Sequence, residues 1–184
     1  REVAALVRTL REELQHPIYL NADHTHSLEK AIEAARAGFD EIIFDASKLP
    51  LEENIRQTKA AVLSIRAVNP EIVIEGEIGY IGSSSEIMES VPEGAALTEG
   101  ALTTPEEAVR FVAETGVDVL APAVGNMHGL LASMVRGETH KELNIERIKE
   151  LQPMMKGEYI VTLHGGKQLT MTRGIRELQQ AIGP

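Results

Sequence analysis

Three of the six histidines in this 184-residue chain stand where apolar runs that read as strands come to an end. His24 follows Ile18-Tyr19-Leu20-Asn21-Ala22, His128 follows Val117 to Val124, and His164 follows Tyr159 to Leu163. Three neutral imidazoles from three elements, with a fourth position open, form the donor set that a catalytic zinc ion uses. The plainer alternative is that each imidazole caps a strand or binds a backbone carbonyl. Carboxylates occupy equivalent positions: Asp23 beside His24, Asp45 after Glu41-Ile42-Ile43-Phe44, and Glu77 after Ile72 to Gly76. Asp23 is either a general acid or base, or a partner that orients a histidine. Gly129, Gly165 and Gly166 allow close backbone approach to an anion such as phosphate, or form tight strand-to-helix turns. His26 shares a face with His24 if the first strand continues, and such a His-x-His pair also suits a metal-dependent hydrolase. His16, before a proline, and His140, in a polar loop, read as surface residues.

The elements that must position these groups alternate between the two periodicities. Val3, Leu6, Val7, Leu10 and Leu14 form a helical stripe that His16-Pro17 ends, and a buried strand is expected over 18–22. Ser27 caps a helix from Leu28 to Ala37 that Gly38 stops, with Lys30 where a capping box would place Glu or Gln. A strand over 41–45, a helix from about Leu51 to Val68 and a strand over 72–76 come next. Gly79 to Ser85 reads as a mobile active-site loop or an ordinary surface loop. Thr104-Pro105-Glu106-Glu107 opens a helix that ends near Gly116. After it come a strand over 117–124, a helix at about 145–151, a strand over 159–163 and a last helix around 174–182. Five apolar, unalternating strands bracketed by helices predict a parallel sheet covered on both faces, in a single α/β domain over residues 1–184. Periodicity leaves an open sheet and a barrel equally available. Either one gathers its chemistry at the carboxyl ends of the strands.

Composition narrows the classes of function. Eighteen Lys plus Arg against 28 Asp plus Glu give a formal charge of -10, and only 3% of residues are aromatic. A chain so acidic, without stacking aromatics, is poorly suited to nucleic acid. With no cysteine there is no disulfide framework and no thiolate zinc site. Apolar runs fall far short of the ~20 residues of a membrane span, and Arg1 begins helix-like sequence with no leader pattern. A cytoplasmic location is the expectation.

Several motifs together resemble the class II, metal-dependent ketose-bisphosphate aldolases. They are Asn21-Ala22-Asp23-His24, the run Asp45-Ala46-Ser47-Lys48-Leu49-Pro50-Leu51-Glu52-Glu53-Asn54, and Glu75-Gly76-Glu77-Ile78-Gly79. Leu102 to Ala108, Thr115-Gly116-Val117-Asp118, Gly125-Asn126-Met127-His128-Gly129 and Leu163-His164-Gly165-Gly166 complete a colinear likeness over about residues 2 to 166. The resemblance implies a (β/α)8 barrel and zinc-dependent reversible cleavage of a ketose 1,6-bisphosphate, fructose bisphosphate foremost, to dihydroxyacetone phosphate and an aldehyde. It implies that His24, His128 and His164 ligate catalytic zinc, and that Asp23 handles the hydroxyl proton of the cleaved bond. Asp45 and Glu77 match carboxylates that hold a second, buried metal position in some members. Gly129, Gly165 and Gly166 match the phosphate cradle, often beside a monovalent cation such as Na+ or K+. The family's members are commonly homo-oligomers, dimers or tetramers.

Three departures qualify that likeness. Lys167 stands where the family usually has serine, and either neutralises phosphate or blocks the cation site. Glu86 follows three serines where the family commonly has a glutamate just after the loop glycines, which makes it a candidate for proton transfer at the dihydroxyacetone phosphate carbon. A full barrel typically needs ~250 residues, and five strands leave the first two and the last of the eight unaccounted for. A catalytically silent metal- or phosphosugar-binding barrel fragment is therefore an alternative to the enzyme, as is a zinc hydrolase built on His24 and His26.

Overall fold

The computed structural model describes residues 1–82, 86–95, 99–139, 142–155 and 160–161. They divide into two compact units, one of Arg1–Glu77 with Val112–Val119, the other of Ile78–Phe111 with the residues from Leu120 onward.

The first unit opens with helix α1 (Glu2–Leu14), which ends at Gln15 in the left-handed conformation, just ahead of Pro17. The expected stripe is largely uncovered: only Ala4 is buried, whereas Val3, Leu6 and Leu14 are exposed. Arg11 ties the helix to the Ile18 carbonyl and the Asp40 carboxylate. Strand β1 is Asn21–Thr25, not 18–22, and it is only partly buried. The displacement follows from pairing rather than hydropathy. The ladder with strand β2 (Glu41–Phe44) begins at Asn21↔Glu41, and Tyr19 is left 80% exposed ahead of it.

Between them, helix α2 (Leu28–Ala37) starts and stops as its residues dictate. Ser27 Oγ accepts from the Lys30 N–H, and Gly38 at φ 88 supplies the left-handed cap that a side chain would resist. Helix α3 (Leu51–Val68) packs against α2. It buries Ile55, Ala61, Val62 and Ile65, and β2 buries Ile42, Ile43 and Phe44. Full burial of each such side chain contributes about 1.5–3 kcal/mol. Strand β3 (Val73–Ile78) runs parallel to β2, in register from Glu41↔Val73 to Phe44↔Gly76. Asp118 closes this unit by accepting from the Ile74 N–H while pairing with Arg66.

In the second unit, the short strand β4 (Ile87–Met88) pairs in parallel with β6 (Leu130–Leu131), two elements the sequence pattern did not suggest. Helix α4 (Pro105–Thr115) begins with reciprocal bonds: Thr104 Oγ1 accepts from the Glu107 N–H, and the Glu107 carboxylate accepts from the Thr104 N–H. Strand β5 (Val119–Pro122) has β7 (Ile160–Val161) as a neighbour in the sheet. Helix α5 (Ala132–Val135) is a single turn; α6 (Ile145–Met155) starts where Asn144 Oδ1 accepts from the Arg147 N–H. Leu120, Ala123, Val124, Met127 and Phe111 are buried. The expected strand beyond Val161 and the helix around 174–182 lie outside the described residues. No helix among the described residues is long and apolar enough to cross a membrane.

Candidate active site

The first unit gathers its polar groups through a defect in a strand. After Ala22↔Ile42 the next β1–β2 pair is Thr25↔Phe44, so Asp23 and His24 stand opposite Ile43 alone. Such a bulge bends a strand and re-aims its side chains. His24 adopts φ 47, a conformation uncommon for a residue with a Cβ. The consequence is that His24 meets the ends of the two neighbouring strands. Its Nδ1 lies 3.1 Å from Asp45 Oδ2, just past β2, and 3.3 Å from Glu77 Oε1 in β3. Asp23 sits on the outer side, with Oδ1 3.7 Å from His24 Nε2 and its side chain 72% exposed.

Asp45 divides its two oxygens between tasks. Oδ2 accepts from His24, and Oδ1 accepts from the Ser47 backbone N–H at 3.0 Å and the Ser47 hydroxyl at 2.6 Å. The hydrogen bond to Asp45 leads in pushing the His24 imidazole up to about 9. The charges of Glu77 and Asp23 assist, and partial burial works against them. Burial alone would raise Asp45, but the bonds from His24 and Ser47 outweigh it and hold the carboxyl down to about 2. His26 lies alongside: its Nδ1 is 3.1 Å from the Asp45 carbonyl, and its half-exposed ring stacks on His24 with centroids 6.1 Å apart.

His24 and Glu77 each offer a ligand atom that could help hold a metal ion. A ligating histidine usually donates its second ring N–H to a carboxylate, which fixes the tautomer and raises basicity. Here Nδ1 is the nitrogen that faces the carboxylates, so Nε2 is the one that could ligate.

In the second unit, His128 is held through backbone bonds. The His128 N–H donates to the Ile81 carbonyl at 2.9 Å, and the partly buried ring is carried at the start of a turn completed by buried Gly129 at φ 71. Asn126 Oδ1 accepts from the Val124 N–H at 2.8 Å. Gly125, at φ 94, lies under the 142–144 segment: a Cβ there would meet the Glu142 carbonyl oxygen at 2.3 Å. Of the stretch expected to be a loop, Ile81 and Gly82 are buried, while Ser83 to Ser85 lie outside the described residues. Glu86 is exposed, and its carbonyl accepts from the Leu130 N–H. His164, Gly165, Gly166 and Lys167 also lie outside the described residues.

Sequence reasoning thus brought His24, Asp45, Glu77 and Asp23 forward, and the structure joins them in one unit. It assigned no role to Ser47, or to Asn54, which is 1% exposed within α3 and donates to the Glu77 carbonyl. The available signal was an Asn-x3-Thr pair on the buried stripe of an otherwise apolar helix face.

Residues 1–183 match the family described as fructose-bisphosphate aldolase class-II. The chain belongs to that family. Among relatives, it is 38% identical over 129 residues to a 6-phospho-5-dehydro-2-deoxy-D-gluconate aldolase from Shouchella clausii, covering 69% of this chain and 41% of that protein. It is 36% identical over 129 residues to a fructose-bisphosphate aldolase from Thermus caldophilus, covering 70% and 40%. Among solved structures, the YdjI aldolase from Escherichia coli K12 superposes with a TM-score of 0.72 at 26% identity, covering 98% of this chain and 56% of that one. The chain spans about half the length of the relatives it matches. The α/β fold with a parallel sheet stands as expected, with part of the eight-stranded barrel among the described residues. Relatives in this class II family carry names for different aldol substrates, so membership alone does not fix the sugar.

Proposed function

We propose that the protein is a zinc-dependent aldolase that reversibly cleaves a phosphorylated ketose, fructose 1,6-bisphosphate being the first to test, to dihydroxyacetone phosphate and an aldehyde. The observation that carries this reading is His24, turned by a strand bulge so that Nδ1 faces Asp45 and Glu77, in a chain of this family. In this account His24, His128 and His164 hold the metal. When bound, the metal supplies Lewis-acid polarisation of the substrate carbonyl, which stabilises the charge left on the adjacent carbon as the bond breaks.

The chain's own groups do the rest. Asp23, exposed and one residue from the ligand, takes the hydroxyl proton of the bond that breaks, and returns it in condensation. Asp45 and Glu77 orient His24 and offer carboxylates to a second metal position. Backbone N–H groups at Gly129, Gly165 and Gly166 bind the phosphate, with a monovalent cation beside it, and Lys167 adds a positive charge. Glu86 exchanges the proton at the dihydroxyacetone phosphate carbon. A cytoplasmic homo-oligomer, dimer or tetramer, completes the proposal.

The test is cleavage of fructose 1,6-bisphosphate by the zinc-loaded full-length protein, beside a panel of other phosphorylated ketoses, for the wild type and His24→Ala. The expected result is turnover by the wild type on one member of the panel, with both turnover and zinc content lost in His24→Ala. Zinc-dependent turnover retained by that variant contradicts the assignment.

A further inference from the structure

The mechanism above leaves unexplained a buried amide that lies one step behind His24. The β2–β3 ladder ends at Phe44↔Gly76, because β2 turns aside at Asp45 to form the Ser47 turn. The Glu77 carbonyl therefore lies beyond the last β2–β3 pair, and a side chain from α3 takes up the bonding. Asn54 Nδ2 donates to the Glu77 carbonyl at 2.8 Å. The Glu77 carbonyl can only accept, so it sets the amide NH2 toward itself, and Asn54 Oδ1 then accepts from the Thr58 hydroxyl at 2.9 Å, one helical turn on. Asn54 is 1% and Thr58 0% exposed. An asparagine is a weak helix former, and burying its amide is unfavourable unless its hydrogen bonds are made. Apart from Thr58, the other buried residues of that helix, Ile55, Ala61, Val62 and Ile65, are apolar.

We propose that Asn54, its buried amide oxygen satisfied by Thr58, is a positioning residue that fixes the Glu77 backbone so that the Glu77 carboxylate meets His24 Nδ1. The chain of contact runs from α3 through the Glu77 carbonyl to its carboxylate, 3.3 Å from the imidazole. Asn54 touches no substrate and no reacting atom; it acts through Glu77. The inference rests on the metal-centre reading only for its effect on metal binding, since the His24 contact is a property of the metal-free protein.

The experiment uses the full-length protein as wild type, Asn54→Leu and Thr58→Val, with two readouts. The first is the nitrogen-15 and proton NMR signal of His24 Nδ1–H in the metal-free protein; the second is Co2+ affinity by titration. Asn54→Leu is expected to move the Nδ1–H signal and weaken Co2+ binding about ten-fold, in the range for a group that orients a ligand. Thr58→Val, which keeps shape and takes the donor from the buried Asn54 Oδ1, is expected to move the same signal less and to weaken binding about three-fold. A loss of thermal stability with both readouts unchanged would make Asn54 merely structural and overturn the proposal. If Asn54→Leu does not fold, Thr58→Val decides on the same readouts, an unchanged signal and affinity counting against it. Should the wild type bind no Co2+, the metal reading fails, while the His24 signal still decides the role of Asn54.

Discussion

The two units hold their candidate functional groups by different means. In the first, charge and hydrogen bonding at a strand bulge orient His24: one imidazole, the carboxylates of Asp45 and Glu77, and Ser47 behind Asp45. In the second, the turn carrying His128 is shaped by glycines at positive φ and by Thr103 and Asn126 bonded to backbone. The first arrangement is sensitive to protonation and the second to volume. Substitutions and pH should therefore separate them.

The largest expected effect falls on the second unit. Gly125→Ala would set a methyl group 2.3 Å from the Glu142 carbonyl oxygen at φ 94. Left-handed strain and overpacking each cost roughly 1–3 kcal/mol, so a loss of about 4 kcal/mol is expected in urea unfolding. A loss under about 1 kcal/mol would show that the 142–144 segment moves aside freely.

Next in size is the pH response of the first unit without metal. His24 is raised to about 9 in the fold, against about 6.5 when unfolded, so its contribution is full below about 6.5 and is lost as pH rises through 9. Asp45 is lowered to about 2, so its contribution is present above about 4 and is lost as pH falls through 2. The contribution of this pair should stay flat between those limits and lose on the order of 3 kcal/mol along the alkaline limb. That limb should vanish in His24→Gln. An unchanged difference in urea midpoint between wild type and His24→Gln from pH 6 to 9 would refute the charged pair.

The smallest effect belongs to a hydroxyl. Thr103 Oγ1 donates to the Ile78 carbonyl at 3.0 Å and accepts from the Ala123 N–H at 2.9 Å. The Ala123 N–H also reaches Ile78 O at 3.0 Å. Thr103→Val therefore strands no donor completely, and calorimetry should show a loss of about 1.5 kcal/mol. No change would mean that the ladder alone holds this corner.

The sequence made the helices readable wherever a cap announced them, as at Ser27, Gly38 and Thr104-Pro105, because caps are local chemistry. The first strand was misplaced by three residues, since Ile18-Tyr19-Leu20 is the more apolar run but the pairing partner of β1 begins at Glu41. Among site groups, His24, Asp45 and Glu77 could be singled out as chemically capable residues at strand ends. That they meet at one imidazole depends on a bulge whose positive φ falls on a histidine, a residue type that gives no warning of it. Asn54 closes one of the family-like runs, but the run gives it no role, because its bond to the Glu77 carbonyl joins residues 23 positions apart.

The central claim is that His24 is hydrogen-bonded through Nδ1 to Asp45, beside the Glu77 carboxylate, and presents Nε2 to a metal. The most direct measurement is the nitrogen-15 spectrum of the His24 ring at pH 7 in the full-length protein, before and after one equivalent of zinc. The account requires an exchange-protected Nδ1–H in both states and loss of the Nε2 proton on adding zinc. A ring that keeps its Nε2 proton in the presence of zinc, or loses Nδ1–H instead, would contradict it.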